Sequence, residues 1–166
     1  MNLALVSPHD PKVLQRSKTI QRASGATDIL KNAKIYATLD DALTIFDGKN
    51  EIICGTGMPI DMYHERLART YSEPRKFFEQ LLFHENTKSE NNHEGVRAND
   101  KIRIAFIFGN ENSGMQESDM DKCQCMLGIP TNPQFGSLNL ASAVQLIAYD
   151  WRMALGHDYD DIDTDR

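Results

Sequence analysis

The chain has 166 residues, a formal net charge of −6 and three cysteines. This length suits one domain with a hydrophobic core of its own. The apolar runs are too short to cross a bilayer, so we expect no membrane segment. The spacing of Cys123 and Cys125 does not match a Cys-x-x-Cys metal or redox pair. We therefore expect buried, reduced thiols and a cytoplasmic location, or an organellar one if a transit segment precedes Met1.

The negative charge is concentrated at the carboxyl end. Residues 157–166 carry five Asp and one Arg, so this acidic tail accounts for four of the six net negative charges. Phosphate binding needs a basic patch rather than a basic protein. Two groups of cations could form one, or could be ordinary solvated helix faces: Arg16, Lys18, Arg22, Lys31 and Lys34, and separately Arg66, Arg69, Arg75 and Lys76.

The first half of the chain alternates short apolar runs with amphipathic segments. This pattern predicts strands at Leu3–Val6, Ile35–Ala37 and Glu51–Cys54, and helices at 12–23 and 39–46. Ser24-Gly25 should end the first helix, and Asp47-Gly48 the second. Thr38 and Asp41 have the spacing of a capping box. Gly55-Thr56-Gly57 is expected to be a turn whose glycines allow positive φ and close approach of a ligand.

The second half contains the longest apolar segments. We predict a helix at 73–83 capped by Ser72, a buried strand at 102–108, a short helix, a second strand, and a long last helix capped by Asn139. Residues 84–100 are polar and predict an exposed, mobile loop inserted between elements. His84 and His93 have no supporting ligand pattern, so no metal site is expected.

The alternation of strands and helices indicates an α/β fold, with a mostly parallel sheet and helices on both faces. Two loops rich in small and polar residues follow the apolar strands of the second half, at Gly109–Gly114 and Pro130–Asn139. Ligands of open parallel sheets bind at the carboxyl ends of the strands. These loops are therefore the expected place for chemistry.

The two loops carry a specific pair of motifs. The segment Phe108-Gly109-Asn110-Glu111-Asn112-Ser113-Gly114, followed by Ile129-Pro130 and Ser137-Leu138-Asn139, resembles the SPOUT methyltransferases, and more narrowly their TrmH (SpoU) branch. Two segments look most like the TrmJ subgroup: NPQFGSLNLASAVQLIAYDWRMA and GATDILKNAKIYATLDDAL. The resemblance covers the chain except for 84–100 and the acidic tail. It predicts one methyltransferase domain over residues 1–156.

The resemblance implies a fold and a cofactor that composition does not reveal. It implies a deep trefoil knot at the carboxyl end, S-adenosylmethionine bound in that knot, and a homodimer formed through the knot and the last helix. It also implies an RNA substrate, with tRNA favoured over rRNA, whose ribose 2′-hydroxyl is methylated. The cofactor-binding residues carried over from the family's motifs are Gly55, Thr56, Gly57, Gly109, Ile129, Pro130, Ser137 and Leu138.

Glu111 and Asn139 match the polar residues of the second and third family motifs and are the candidate catalytic residues. A ribose hydroxyl must lose its proton, which requires a base or a group that stabilises the oxyanion. Each side chain could also cap a helix: Glu111 the one after its own loop, Asn139 the last one. We expect both residues to combine capping with a role in the site.

The chain also departs from the family pattern. It begins at what would be the family's second strand, so the usual first strand, first helix and motif-one arginine are expected to be absent. TrmJ-like loops also usually carry arginine in the Gly-Thr turn and in the Phe-Gly loop, where this chain has Met58-Pro59 and Asn110 with Asn112. On these grounds we expect poor methylation by the chain alone. Two alternatives remain: an inactive or truncated homologue that binds RNA or acts as a scaffold, and an unrelated α/β nucleotide-binding module, which the absence of phosphate-loop motifs disfavours.

Overall fold

The computed structural model describes residues 2–46, 51–57, 71–91, 102–132, 134 and 136–156. The chain divides into two compact units, Met1–Lys49 and Asn50–Arg166. Predictions for Asp47-Gly48, His93, residues 92–100 and the acidic tail lie outside the described residues. The single domain over residues 1–156 stays a prediction.

The first unit contains a pair of parallel strands and short helices. Its elements are β1 (Ala4–Val6), a 3₁₀ turn (Val13–Gln15), α1 (Ser17–Ala23), a second 3₁₀ turn (Ser24–Ala26), α2 (Thr27–Asn32), β2 (Lys34–Tyr36) and α3 (Leu39–Leu43). Leu5 is opposite Ile35 in the ladder. The predicted capping box is confirmed, since Asp41 N donates to Thr38 Oγ1 at 3.1 Å and Thr38 N donates to Asp41 Oδ2 at 3.2 Å.

The helix predicted at 12–23 is wrong in its first turn. Arg16 has extended backbone angles, φ −69° and ψ 133°, and separates the 3₁₀ turn from α1. The carboxylate of Asp10 accepts hydrogen bonds from Lys12 N and Arg16 Nε, which stabilises this break. The sequence also gave no indication of α2. Ser24, at φ 47°, ends α1 as predicted, but a second helix begins at Thr27.

The second unit is a four-stranded parallel sheet with helices. Its elements are β3 (Glu51–Gly57), β4 (Tyr71–Ser72), α4 (Pro74–Asn91), β5 (Arg103–Ile107), α5 (Glu117–Met120), β6 (Cys125–Gly128) and α6 (Leu140–Ala154). The strand order is β4-β6-β3-β5, and every pair is parallel. The predicted α/β class with parallel strands is confirmed. The single predicted sheet is instead two sheets, because β1 and β2 pair only with each other among the described strands.

The core of the second unit lies between the sheet and the helices α4 and α6. Phe78 of α4, Leu127 of β6 and Ile147 of α6 are buried together with Cys54. The ring of Phe78 packs edge-to-face against Trp151, with ring centroids 5.3 Å apart. At the helix surface, Arg75 Nη2 donates to Asp150 Oδ1 at 2.8 Å, and this hydrogen bond raises the pKa of Arg75. These contacts hold α6 against α4.

Two boundaries in this unit differ from the predictions. α4 continues to Asn91, past the predicted end at Phe83, so the first part of the expected loop is helical. The loop was predicted because this segment has no apolar periodicity, but adding residues to an existing helix costs little once its nucleus has formed. Ser72 belongs to the short strand β4, which the sequence did not indicate.

Candidate functional site

A cleft of about 640 Å³ opens at the carboxyl ends of β3, β5 and β6. It is bounded by the loops that follow β5 and β6 and by the first turns of α6. Seven of the predicted site residues line it: Thr56, Gly57, Gly109, Glu111, Ile129, Ser137 and Leu138. These residues come from three separate stretches of sequence, and the parallel sheet brings the stretches together at one edge.

Three predicted residues do not line the cleft. A Cβ atom on Gly55 would lie 2.5 Å from Met126 Sδ, so this glycine allows β3 and the Met126 side chain to pack closely. The prediction of a turn here is wrong, because Gly55, Thr56 and Gly57 continue β3 and neither glycine has positive φ. Pro130 lies just beyond Ile129, outside the lining. Asn139 precedes Leu140, which lines the cleft.

The loop after β5 is closed by its own backbone. Asn110 N donates to Gly114 O at 2.9 Å, and Gly114 N donates to Asn110 O at 2.8 Å. The side-chain oxygen of Asn110 also accepts from Asn112 N at 2.9 Å. Gly114 has φ 69°, which favours glycine.

The glycine that begins this loop is required by the loop itself. A Cβ atom on Gly109 would lie 2.2 Å from the carbonyl carbon of Gly114, which is far too close for two non-bonded atoms. The family resemblance predicted a cofactor-binding role for this glycine. Its immediate structural cause is the tight return of the loop backbone.

Glu111 and Asn139 act on the same helix terminus. Glu111 Oε2 accepts a hydrogen bond from Leu140 N at 2.9 Å, and Asn139 Oδ1 accepts one from Ser142 N at 2.9 Å. Both bonds satisfy amide groups in the first turn of α6 that have no partner within the helix. The predicted cap by Asn139 is confirmed. Glu111 caps the last helix, not the helix after its own loop, and so ties the two motif loops together.

Sequence reasoning missed a hydrogen bond within the loop that follows β6. Thr131 Oγ1 donates to Gly136 O at 2.9 Å, which brings the two ends of the 131–136 segment together just before Ser137. Thr56, which was predicted to bind the cofactor, uses its hydroxyl to donate to Ile107 O at 2.9 Å. The available signal was a threonine directly after Ile129-Pro130, a position where a hydroxyl can bond a loop carbonyl.

The charged residues that line the cleft are acidic. Glu111 and Glu117 contribute carboxylates, and no arginine or lysine is among the described lining residues. Met115, Met120 and Met126 add polarisable thioethers to the wall. The cleft is thus suited to a ligand that carries positive charge beside apolar groups.

The described residues carry neither of two further kinds of site. They contain no group of three or more His, Cys, Asp or Glu side chains placed to hold a metal ion. They also contain no helix that is both long and apolar enough to cross a membrane.

Comparison with known proteins identifies the family of this chain. The model of the SpoU rRNA Methylase family matches residues 1–149. The chain belongs to this family. The predicted resemblance to the TrmH (SpoU) branch is therefore confirmed, and its motif loops are the ones that meet in the cleft.

The curated relatives support the narrower resemblance to the TrmJ subgroup. TrmJ of Pseudomonas aeruginosa, named a tRNA (cytidine/uridine/adenosine-2′-O-)-methyltransferase, is 31% identical over 93% of this chain and 52% of its own length. TrmJ of Photorhabdus laumondii, named a tRNA (cytidine/uridine-2′-O-)-methyltransferase, is 34% identical over 92% of this chain and 53% of its own length. The chain thus spans about half the length of these relatives.

Two solved structures superpose on most of this chain. A probable methyltransferase from Bordetella pertussis superposes with a TM-score of 0.71 at 26% identity, covering 93% of this chain and 79% of that one. A probable methylase family protein from Haemophilus influenzae gives 0.68 at 32% identity, covering 92% of this chain and 53% of that one.

Proposed function

We propose that this chain is the cofactor-binding, methyl-transferring part of an RNA ribose 2′-O-methyltransferase, with tRNA as the favoured substrate over rRNA. The observation that carries the proposal is the cleft at the sheet edge, where the end of β3 and the two motif loops converge. Residues 1–156 would form the methyltransferase domain. The TrmJ names of the curated relatives support tRNA as the substrate.

S-adenosylmethionine fits the chemistry of the cleft. When bound, it supplies an electrophilic methyl group on a positively charged sulfur. The carboxylates of Glu111 and Glu117 would offset the positive charges of this ligand. Backbone groups at Gly57, Gly109 and Leu138 would bind its neutral portions, since loop N–H and C=O groups are available without side-chain specificity.

Glu111 and Asn139 would contribute mainly by positioning. Their hydrogen bonds to Leu140 N and Ser142 N hold the start of α6 against the cleft and fix the second motif loop to the third. Positioning supplies much of the rate of an in-line displacement, because the attacking oxygen must be aligned with the methyl group. A loss of either cap would therefore reduce transfer through geometry.

We also propose the trefoil knot of the SPOUT fold at the carboxyl end. Membership of the SpoU family supports it, and so does the path of the chain. β6 follows β5 in sequence but lies between β3 and β4 in the sheet, so the chain crosses β3 before α6 begins.

A homodimer through α6 is the proposed assembly. One face of α6 packs Ile147 and Trp151 into the core. Leu146, Tyr149 and Met153 form a second apolar stripe at spacings of three and four residues, with 41%, 48% and 53% of their surfaces exposed. A second copy of the same stripe would cover it in a two-fold interface.

The cofactor site is tested by calorimetry with S-adenosylhomocysteine, the demethylated product. Ala143 lines the cleft from α6, whereas Ala141 is exposed on the same helix and does not line it. We expect Ala143→Leu to weaken binding at least tenfold by filling the cleft, and Ala141→Leu to bind normally. Absence of binding by the folded native chain, or equal effects of both variants, would contradict the site.

The reaction is tested with radiolabelled S-adenosylmethionine and separate pools of tRNA and rRNA. Label in the ribose of tRNA supports the proposed function. A specific observation favours the alternative of an RNA-binding or scaffolding homologue: the described lining of the cleft offers no cation to stabilise an oxyanion. Cofactor binding without transfer to either RNA would agree with the poor methylation expected of the chain alone, and it would favour this alternative over the proposed activity.

A further inference from the structure

Cys54 and Cys125 form a side-by-side pair in the sheet of the second unit. They are register partners on the neighbouring parallel strands β3 and β6. Their sulfur atoms lie 3.0 Å apart. Cys54 is fully buried, whereas Cys125 is half-buried at the start of β6. The proposed methyl transfer uses neither thiol.

We infer that Cys54 and Cys125 are an oxidation site, which forms a reversible disulfide within the chain when a peroxide reaches it. A disulfide has an S–S bond of about 2.05 Å, so the sulfurs need to approach by only about 1 Å from their present separation. The two strands are already held in register by their backbone hydrogen bonds. The inference rests on this pairing and is independent of the proposed function.

The chemistry begins at the more exposed thiol. The hydrogen bond with Cys54 lowers the pKa of Cys125, since a neighbouring thiol can donate to its thiolate. The Cys125 thiolate attacks one peroxide oxygen, the O–O bond breaks, and the departing hydroxide takes a proton to become water. Cys54 then loses its proton as its sulfur attacks the sulfenic acid, which releases a second water. Two thiols lose two electrons in total, and hydrogen peroxide is reduced to two molecules of water.

The third cysteine lies on the other side of the sheet. A Cβ atom on Gly55 would be 2.9 Å from the sulfur of Cys123. Successive residues of a strand face opposite sides of the sheet, so this Cβ position is on the side opposite to the Cys54 side chain. The Cys123 thiol also donates to Asp119 O at 3.4 Å. Cys123 is therefore separated from the pair although only one residue lies between it and Cys125.

A disulfide between Cys54 and Cys125 would lie next to the wall of the cleft. Thr56 and Leu127, two residues beyond the paired cysteines, both line the cleft. A disulfide would join these two strands covalently just below that lining.

The test is peptide mapping of the folded chain before and after treatment with hydrogen peroxide, with free thiols blocked by iodoacetamide. Trypsin releases Cys54 in the peptide 50–66, and Cys123 with Cys125 in the peptide 123–152. We expect the free thiol count to fall from three to one, with 50–66 joined to 123–152 and only Cys123 alkylated. Dithiothreitol should restore three thiols.

Cys123→Ser is the matched control, because it removes the remaining thiol without touching the pair. The linked peptide should persist in Cys123→Ser and be absent from Cys125→Ser and Cys54→Ala. If Cys54→Ala or Cys125→Ser fails to fold, the native chain and Cys123→Ser are sufficient for the test. Three free thiols after oxidation, over-oxidation without a link, a link through Cys123, or a Cys54–Cys125 link that forms only in urea would each overturn the inference.

Discussion

Glu111 illustrates how one side chain can connect two motifs. Its carboxylate caps α6 by accepting from Leu140 N, 29 residues away in sequence. Loss of a capping side chain typically costs about 1 kcal/mol. We expect Glu111→Ala to lower the free energy of unfolding by about that amount, measured by urea denaturation.

Glu111→Gln is the control for this measurement, because glutamine keeps an oxygen that can accept the same hydrogen bond. Its loss of stability should be smaller, limited to the charge that favours a helix amino terminus. Equal stability of Glu111→Ala and the native chain would show that the cap contributes nothing.

Position 109 requires glycine because of the backbone geometry of its own loop, whether or not a ligand is bound. A Cβ atom would collide with backbone atoms of Gly114 and Met115, which cannot move without opening the loop. We expect Gly109→Ala to destabilise the second unit by about 1–3 kcal/mol or more, as overpacking does. Gly25→Ala is the matched control, since a Cβ atom there would meet nothing within 4 Å. The effect should appear in thermal unfolding without any ligand, and a native-like melting temperature for Gly109→Ala would contradict it.

At the scale of the element, the loop after β6 depends on one hydroxyl. Thr131→Val keeps the shape of the side chain but removes its donor to Gly136 O. A hydrogen bond of this kind contributes about 1 kcal/mol, or about fivefold in an equilibrium constant. We expect faster amide exchange across residues 131–138 in this variant, and about fivefold weaker binding of S-adenosylhomocysteine if the loop binds that ligand.

Thr131→Ser, which retains the hydroxyl, should exchange like the native chain. Exchange in Thr131→Val that is no faster than in Thr131→Ser would show that the hydroxyl does not hold the loop. Faster exchange with unchanged affinity would instead separate the loop from the cofactor site.

At the scale of the whole molecule, the second apolar stripe of α6 predicts the assembly. We expect Met153→Glu to shift the chain toward the monomer in sedimentation at micromolar concentration, because an unpaired carboxylate in an apolar interface is costly. Ala148→Glu is the matched control: the residue is exposed on the same helix but lies away from the stripe. A native chain that is monomeric at this concentration would contradict the dimer.

The local chemistry of the sequence was sufficient for much of the fold. Alternating apolar runs predicted parallel strands, and the side chains of Thr38 and Asn139 predicted helix starts that the structure contains. These features depend on residues within a few positions of one another, so a sequence displays them directly. The two loops that line the cleft were found in the same way, as small and polar residues directly after apolar strands.

Only the tertiary structure decided which distant residues meet. The insertion of β6 between β3 and β4 places Cys125 beside Cys54. The loop after β6 returns to the loop after β5, so that the amide of Leu140 can donate to Glu111. Periodicity carries no information about strand order, since many orders bury the same apolar faces. The sequence by itself thus determined most of the elements of this protein and the two loops that line its cleft. The packing of the sheet and helices determined their partners, because those contacts form only when the whole core is buried.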